Sequence, residues 1–189
     1  MNDERAKRKL SAILSTDVKE YYLYFMMYAI IGWCYEVFLE VVVYKWGFTN
    51  RGFLFGPYCP VYGFGALAFI LCFNKFIHKK EPQFLKFIKP FIIFLGCMFV
   101  ATTLELLTSY IMEYFTGKWP WQTYSDYRIN FQARIALSPS IRFGLGGVIF
   151  LYIIQPLFEK VINKMKPKVF NVAFYVISSL FLLDLALSL

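Results

Sequence analysis

Five apolar runs dominate the sequence, at about 21–44, 58–74, 91–112, 143–158 and 169–189. Each is close to the roughly 20 residues that a helix needs to cross a hydrocarbon core about 30 Å thick. With 59% hydrophobic and 21% aromatic residues in 189, the chain carries more apolar surface than one soluble core of this length hides. These features predict an all-α integral membrane protein, a single membrane domain over 1–189 with five transmembrane helices. Residues 1–20 are polar and mixed in charge and read as a cytoplasmic leader able to form a short surface helix. The run that follows lacks a small-residue cleavage site and is expected to stay as an anchor.

Charge then orients the spans. Most of the 20 lysines and arginines lie in the leader and in the 75–90 and 159–168 connectors. Segments rich in these residues stay on the cytoplasmic side. The six remaining bases (Lys45, Arg51, Lys118, Arg128, Arg134, Arg142) are balanced by six acids (Glu36, Glu40, Glu105, Glu113, Asp126, Asp184), so the net charge of +8 resides in the leader and the two connectors. A multi-pass protein of the cell membrane is expected, with its amino terminus cytoplasmic and its carboxyl terminus outside. Trp46, Trp119 and Trp121 fall at the outer ends of spans, where interfacial aromatics gather. The positive charge points to the lipid bilayer as partner and not to nucleic acid, for which no soluble basic and aromatic surface exists. The 81–89 piece starts with Glu-Pro, suited to a helix start, and reads as a helix flat on the inner leaflet or a docking helix for a partner.

Cys34, Cys59, Cys72 and Cys97 form no C-x-x-C pair, and His78 sits alone in a lysine-rich connector, so no metal, cofactor or disulfide framework is expected. Cys59 is placed in an aqueous outer loop. The stretch Asn50–Gly65, NRGFLFGPYCPVYGFG, packs an Arg, two prolines and four glycines between two spans. Non-helical backbone there must be sheltered by protein or water.

At 1.5 Å per residue from the inner end of each rising span, Glu36, Glu105 and Asp184 share a depth of about 21–23 Å. Gly32, Glu36 and Glu40 lie on one helical face, as do Thr102, Glu105, Ser109 and Glu113. Charges at that depth must be paired, hydrated or protonated. Arg51, Arg134 and Arg142 are the natural partners, since a guanidinium takes a carboxylate bidentately. Two readings stay open: ion pairs that fix helix register, or an outward-facing polar cavity that holds a substrate or relays protons. The candidate substrate-binding set is Glu36, Glu40, Arg51, Glu105, Ser109, Glu113, Arg134, Arg142 and Asp184. Asn50 and, from the 118–140 loop, Trp121, Tyr124, Ser125, Asp126 and Asn130 are expected to line the mouth. The outer loops, 45–57 and 113–142, are expected to be structured.

The first two spans and the next two read as copies. Glu36 parallels Glu105, Arg51 parallels Arg134, Pro60 parallels Pro139, and Gly63 and Gly65 parallel Gly144 and Gly146. Two helical hairpins plus a fifth helix are expected, related as parallel transporter repeats are. The G-x-G pairs also have a plain packing explanation, close helix approach.

Several of these segments carry a family resemblance: Gly32-Trp33 with Glu36, then NRGFLFGPYCPVYGFG, then Glu105-x-x-Thr-Ser109 with Glu113, then a Trp-Tyr-Ser segment and an Arg-Ile pair at Arg134-Ile135. The chain resembles the Putative ABC-transporter type IV family, the CmpB-like permeases of bacteria, from the first span onward. Two departures stand out. The family's Trp-Asp-Tyr-Ser run is stretched here over Trp121–Ser125, and the glycine before the Arg-Ile pair is Ala133. The resemblance implies a permease-like subunit of a transport system. No G-x-x-x-x-G-K-[ST] loop occurs, so a separate ATPase subunit would be needed, docking on the 75–90 segment, with a homo-oligomer or partner membrane subunit completing the path. An enzyme acting on lipids is the alternative, unsupported by any H-E-x-x-H or G-x-S-x-G motif. A small membrane scaffold or regulator is the third reading.

Overall fold

In the computed structural model, residues 2–188 are described apart from Arg51, Phe53, Glu81 and Pro120. Helix α1 covers Asn2–Phe38 and passes into a π-helical turn at Leu39–Val43. Helices α2 (Pro60–His78) and α3 (Gln83–Thr116) follow. A 3-10 turn at Gln122–Asp126 and a two-stranded hairpin, β1 (Asn130–Phe131) with β2 (Ile135–Ala136), lead to α4 (Leu137–Ile149). A second π turn, Phe150–Ile154, joins α4 to α5 (Gln155–Lys164), and α6 (Pro167–Ser188) ends the fold. Five helical stretches are long and apolar enough to cross a membrane: Thr16–Val43, Pro60–His78, Gln83–Thr116, Leu137–Lys164 and Pro167–Ser188.

The differences from the expected boundaries have local causes. The leader is no separate helix. Residues 2–20 contain neither proline nor glycine, and α1 runs unbroken through the junction at 20/21. Likewise the 81–89 piece is not a helix lying apart, because α3 continues through Pro90. A proline costs one backbone bond, few among the bonds of a 34-residue helix. The fourth span starts at Leu137 and not at 143, since Pro139 occupies the first turn, where its missing N–H has no intrahelical partner to lose. Pro60 and Pro167 open α2 and α6 for the same reason.

The chain divides into two compact units, residues 1–67 with 158–189, and residues 68–157. In the first, Phe25, Met26 and Ala29 of α1 form a core with Leu54 and Tyr58 of the segment before α2, against which Ile177, Phe181 and Leu185 of α6 pack. Lys19 Nζ donates to Asn171 Oδ1 at 2.8 Å, tying α1 to α6. In the second, α3 and α4 pack through glycine: a Cβ on Gly144 would lie 2.7 Å from the Phe94 ring and 2.9 Å from the Phe94 carbonyl. The outward faces carry large apolar side chains such as Phe87 and Phe99, suited to contact with acyl chains.

Candidate functional site

In the first unit each acid has its own closure. Gly32 and Glu36 stand one helical turn apart on α1. A Cβ on Gly32 would overlap the Tyr62 ring, so the missing side chain seats that ring and brings its hydroxyl to Glu36 Oε1. Glu40, 3% exposed in the π turn, accepts the Thr49 hydroxyl at 2.5 Å. Asp184 of α6 accepts the amides of Phe55 (3.0 Å) and Gly56 (2.8 Å), the Tyr58 hydroxyl and the Ser188 hydroxyl (3.2 Å). The loop it grips is braced from within by Asn50. That side chain accepts from Trp33 Nε1 at 2.8 Å and donates to the carbonyls of Leu54 and Phe55.

The second unit gathers more of the predicted residues. Gln132 and Ala133 both have positive φ (53° and 55°), and the Arg134 amide closes the turn onto the Phe131 carbonyl at 2.9 Å. The hairpin presents Arg134, 6% exposed, to α3, where its guanidinium pairs with Glu113 and donates to Ser109 Oγ at 3.3 Å. Its plane lies against the rings of Tyr110 (4.1 Å) and Trp119 (3.9 Å), a cation held on two aromatic faces. Trp119 and Trp121 donate their indole N–H groups to the carbonyls of Ala133 and Arg134, so the loop is pinned at backbone level too.

Beside this clamp lies a different arrangement. Tyr124 donates to Glu105 Oε1 at 2.7 Å, and Glu105 Oε2 is buried with no hydrogen-bond partner among the described residues. Burial, then the hydrogen bond and negative charge of Glu105, push the Tyr124 phenol above its usual range, which keeps it a donor. The Tyr124 ring meets Tyr127 edge-on at 5.7 Å, and the Tyr127 hydroxyl accepts from Arg142 Nη2 at 2.6 Å. Arg142 and Tyr127, with Arg128, Ile129, Leu137 and Ile141, line a recess of about 370 Å³.

Of the predicted residues, Ser109, Glu113 and Arg134 meet directly, and Tyr124 reaches Glu105. Arg142 is bonded to Tyr127 and Ser138. Ser125 and Asp126 are exposed neighbours bonded to each other, while Asn130 shapes the hairpin by accepting the Ala133 amide. Arg51 lies outside the described residues. Among the described residues the anticipated arginine–carboxylate pairing occurs at Arg134 with Glu113, while Glu36, Glu40, Glu105 and Asp184 accept from hydroxyls and backbone amides. Thr49, Tyr58, Tyr62 and Tyr127 were therefore missing from the predicted set. Tyr62 was findable, since a tyrosine just before Gly63 on α2 faces a glycine one turn from an acid on α1. Cys59, expected in water, is 6% exposed, its amide bonded to the Ala29 carbonyl at 2.9 Å. The core that holds Leu54 and Tyr58 draws it inward.

The model of the family described as Putative ABC-transporter type IV matches residues 23–189, nearly the whole membrane region. No curated protein and no solved structure matches the chain.

Proposed function

We propose, for a chain that belongs to the Putative ABC-transporter type IV family, the role of a permease-like membrane subunit that handles a small or amphiphilic substrate from the outer side. Its substrate-contacting elements are Glu105 and the recess flanked by Arg128 and Arg142. The observation that carries this reading is the second oxygen of Glu105, a buried acceptor without a partner among the described residues. Leaving a buried carboxylate oxygen unmatched costs free energy, and a proton, cation or substrate hydroxyl removes that cost. Tyr127 of the recess touches Tyr124 ring to ring, and Tyr124 donates to the other oxygen of the same carboxylate, so the recess neighbours the acid. Isoleucine and leucine on the recess wall suit an amphiphile. With no phosphate loop in the chain, energy would come from a separate ATPase subunit.

Asp184 and Arg134 have another task here. Asp184 is met by four donors from within the protein, and Arg134 is held by Glu113, Ser109 and two aromatic faces, with its Nε alone buried and without a partner among the described residues; both arrangements favour a holding role over ligand contact. An outcome in which every acid holds and none binds corresponds to a scaffold.

Affinity purification of the full chain from its native membranes, with mass spectrometry of what accompanies it, tests both parts. An ATPase subunit and a bound small molecule should copurify. Glu105→Gln and Arg142→Gln should each lower the small-molecule content about tenfold at unchanged protein yield. Asp184→Asn should instead lower the yield. Unchanged small-molecule content in both of the first two variants removes the binding role, and a chain purified without any ATPase removes the transport-system role.

A further inference from the structure

A basic recess of about 340 Å³ lies at the other end of α3, lined by Lys79, Lys80, Lys86, Lys89, His78 and Tyr152 among others. Lys89 is 6% exposed, and its ammonium donates to the carbonyls of Ile77 (3.1 Å) and Lys79 (2.9 Å) while facing the Phe76 ring. Two of its three N–H groups are thus used on neutral acceptors, and no carboxylate among the described residues meets it. A buried cation without a counter-ion is unfavourable unless an anion approaches. Tyr152 stands in the π turn Phe150–Ile154, an irregularity often found where a helix serves a site. Its hydroxyl is buried and has no partner among the described residues. The amino-terminal turn of α3, which carries Lys86, has no side-chain cap and adds the positive end of the helix dipole.

The geometry points to a binding site for a phosphate group, and the source we assign is the headgroup of an anionic phospholipid. Ammonium groups and a phenolic donor, with the positive end of the α3 dipole, supply donors and positive potential together, which matches phosphate oxygens. Phe84, Phe87 and Phe91 are strongly exposed on the adjoining turns of α3, where acyl chains would lie. A free phosphate would gain nothing from those rings. Basic pockets between membrane helices hold anionic headgroups by these same contacts.

The test uses the full chain in nanodiscs of phosphatidylcholine doped with phosphatidylglycerol, with lipid retention read by native mass spectrometry and inorganic phosphate as competitor. Phosphatidylglycerol should be retained over phosphatidylcholine. The double variant Lys80→Gln with Lys86→Gln should weaken that preference about tenfold. Tyr152→Phe, which alters no charge, should weaken it by about threefold, and Lys164→Gln, an exposed lysine in the other unit, should leave it unchanged. If Tyr152→Phe and the double variant behave like Lys164→Gln, the lysines act only as diffuse surface charge and the site is refuted. If inorganic phosphate displaces phosphatidylglycerol at equal concentration, the source is a free anion and the lipid assignment is overturned.

Discussion

The hairpin of α1 and α2 and the hairpin of α3 and α4 share a packing seam but not a lid. In each, a glycine on the second helix lies on a phenylalanine of the first. A Cβ on Gly63 would come 2.5 Å from the Phe25 ring and 2.6 Å from the Phe25 carbonyl, as one on Gly144 would crowd Phe94. Phe25 precedes Glu36 by the same number of residues as Phe94 precedes Glu105. The residue before the glycine is Tyr62 in one hairpin and Phe143 in the other. Phe143 has no hydroxyl, and Ala101 stands where Gly32 makes room for the Tyr62 ring. Glu105 therefore takes its donor from the loop, through Tyr124. One acid is closed by its own helix pair, the other by the connecting segment between α3 and α4, which is longer and richer in polar aromatics. On the proposed reading, this shared packing under a different lid makes the second hairpin the one that takes the ligand.

The seam is the most demanding part of the comparison. Gly63→Ala should destabilise the detergent-solubilised protein by about 1–3 kcal/mol, the range for overpacking, and Gly144→Ala by less, since its nearest backbone atom is farther away. Chemical denaturation followed by tryptophan fluorescence measures both; equal and negligible effects would dissolve the parallel. Next in size are the hydroxyls. Tyr62→Phe and Tyr124→Phe each leave a carboxylate oxygen without its donor, with an expected loss of about 1–3 kcal/mol. Adding Phe143→Tyr to Tyr124→Phe restores stability if the two hairpins share a donor position, and gives no recovery if they do not. A pH titration separates the loop's part. The Tyr124 phenol is raised above its ordinary 10.0, so its contribution is complete below pH 10 and declines as the pH rises beyond it, where the unfolded chain releases its proton first. Tyr124→Phe should flatten that alkaline decline. The smallest effect is expected at Ala133. Its φ of 55° is left-handed backbone, which costs a side-chain-bearing residue about 1–2 kcal/mol. Ala133→Gly should recover roughly half of that, offset by the entropy glycine loses on folding, seen as a modest rise in melting temperature.

How far the sequence was legible follows from the same residues. Long apolar runs and helix-opening prolines gave five spans, because hydrocarbon thickness leaves little freedom in helix length. Gly63 and Gly144 mark the seam, since a Cβ there meets the facing phenylalanine, whereas Gly65 and Gly146, the other halves of the G-x-G pairs, face open space. The partners of the acids were harder to read. Arginine is the expected match for a carboxylate, whereas Tyr58 and Tyr62 lie beside or inside an apolar run and count there as apolar bulk, although their hydroxyls do the pairing. Ala133 shows the reverse: a departure from the family's glycine becomes intelligible once its backbone conformation is known. The continuity of α3 was hidden for a third reason, as a proline early in a long helix removes one bond without ending it.

That continuity has a mechanical consequence. At 34 residues α3 is about 50 Å long, well beyond the hydrocarbon thickness of about 30 Å, and an ordinary tilt of about 20° shortens it little. A helix of that length across a bilayer would reach past the hydrocarbon at both ends, at the lysine-bearing turns near its start and at Glu113 near its other end. A torque applied at the first end travels through Pro90, the one proline in the helix, before it reaches the second.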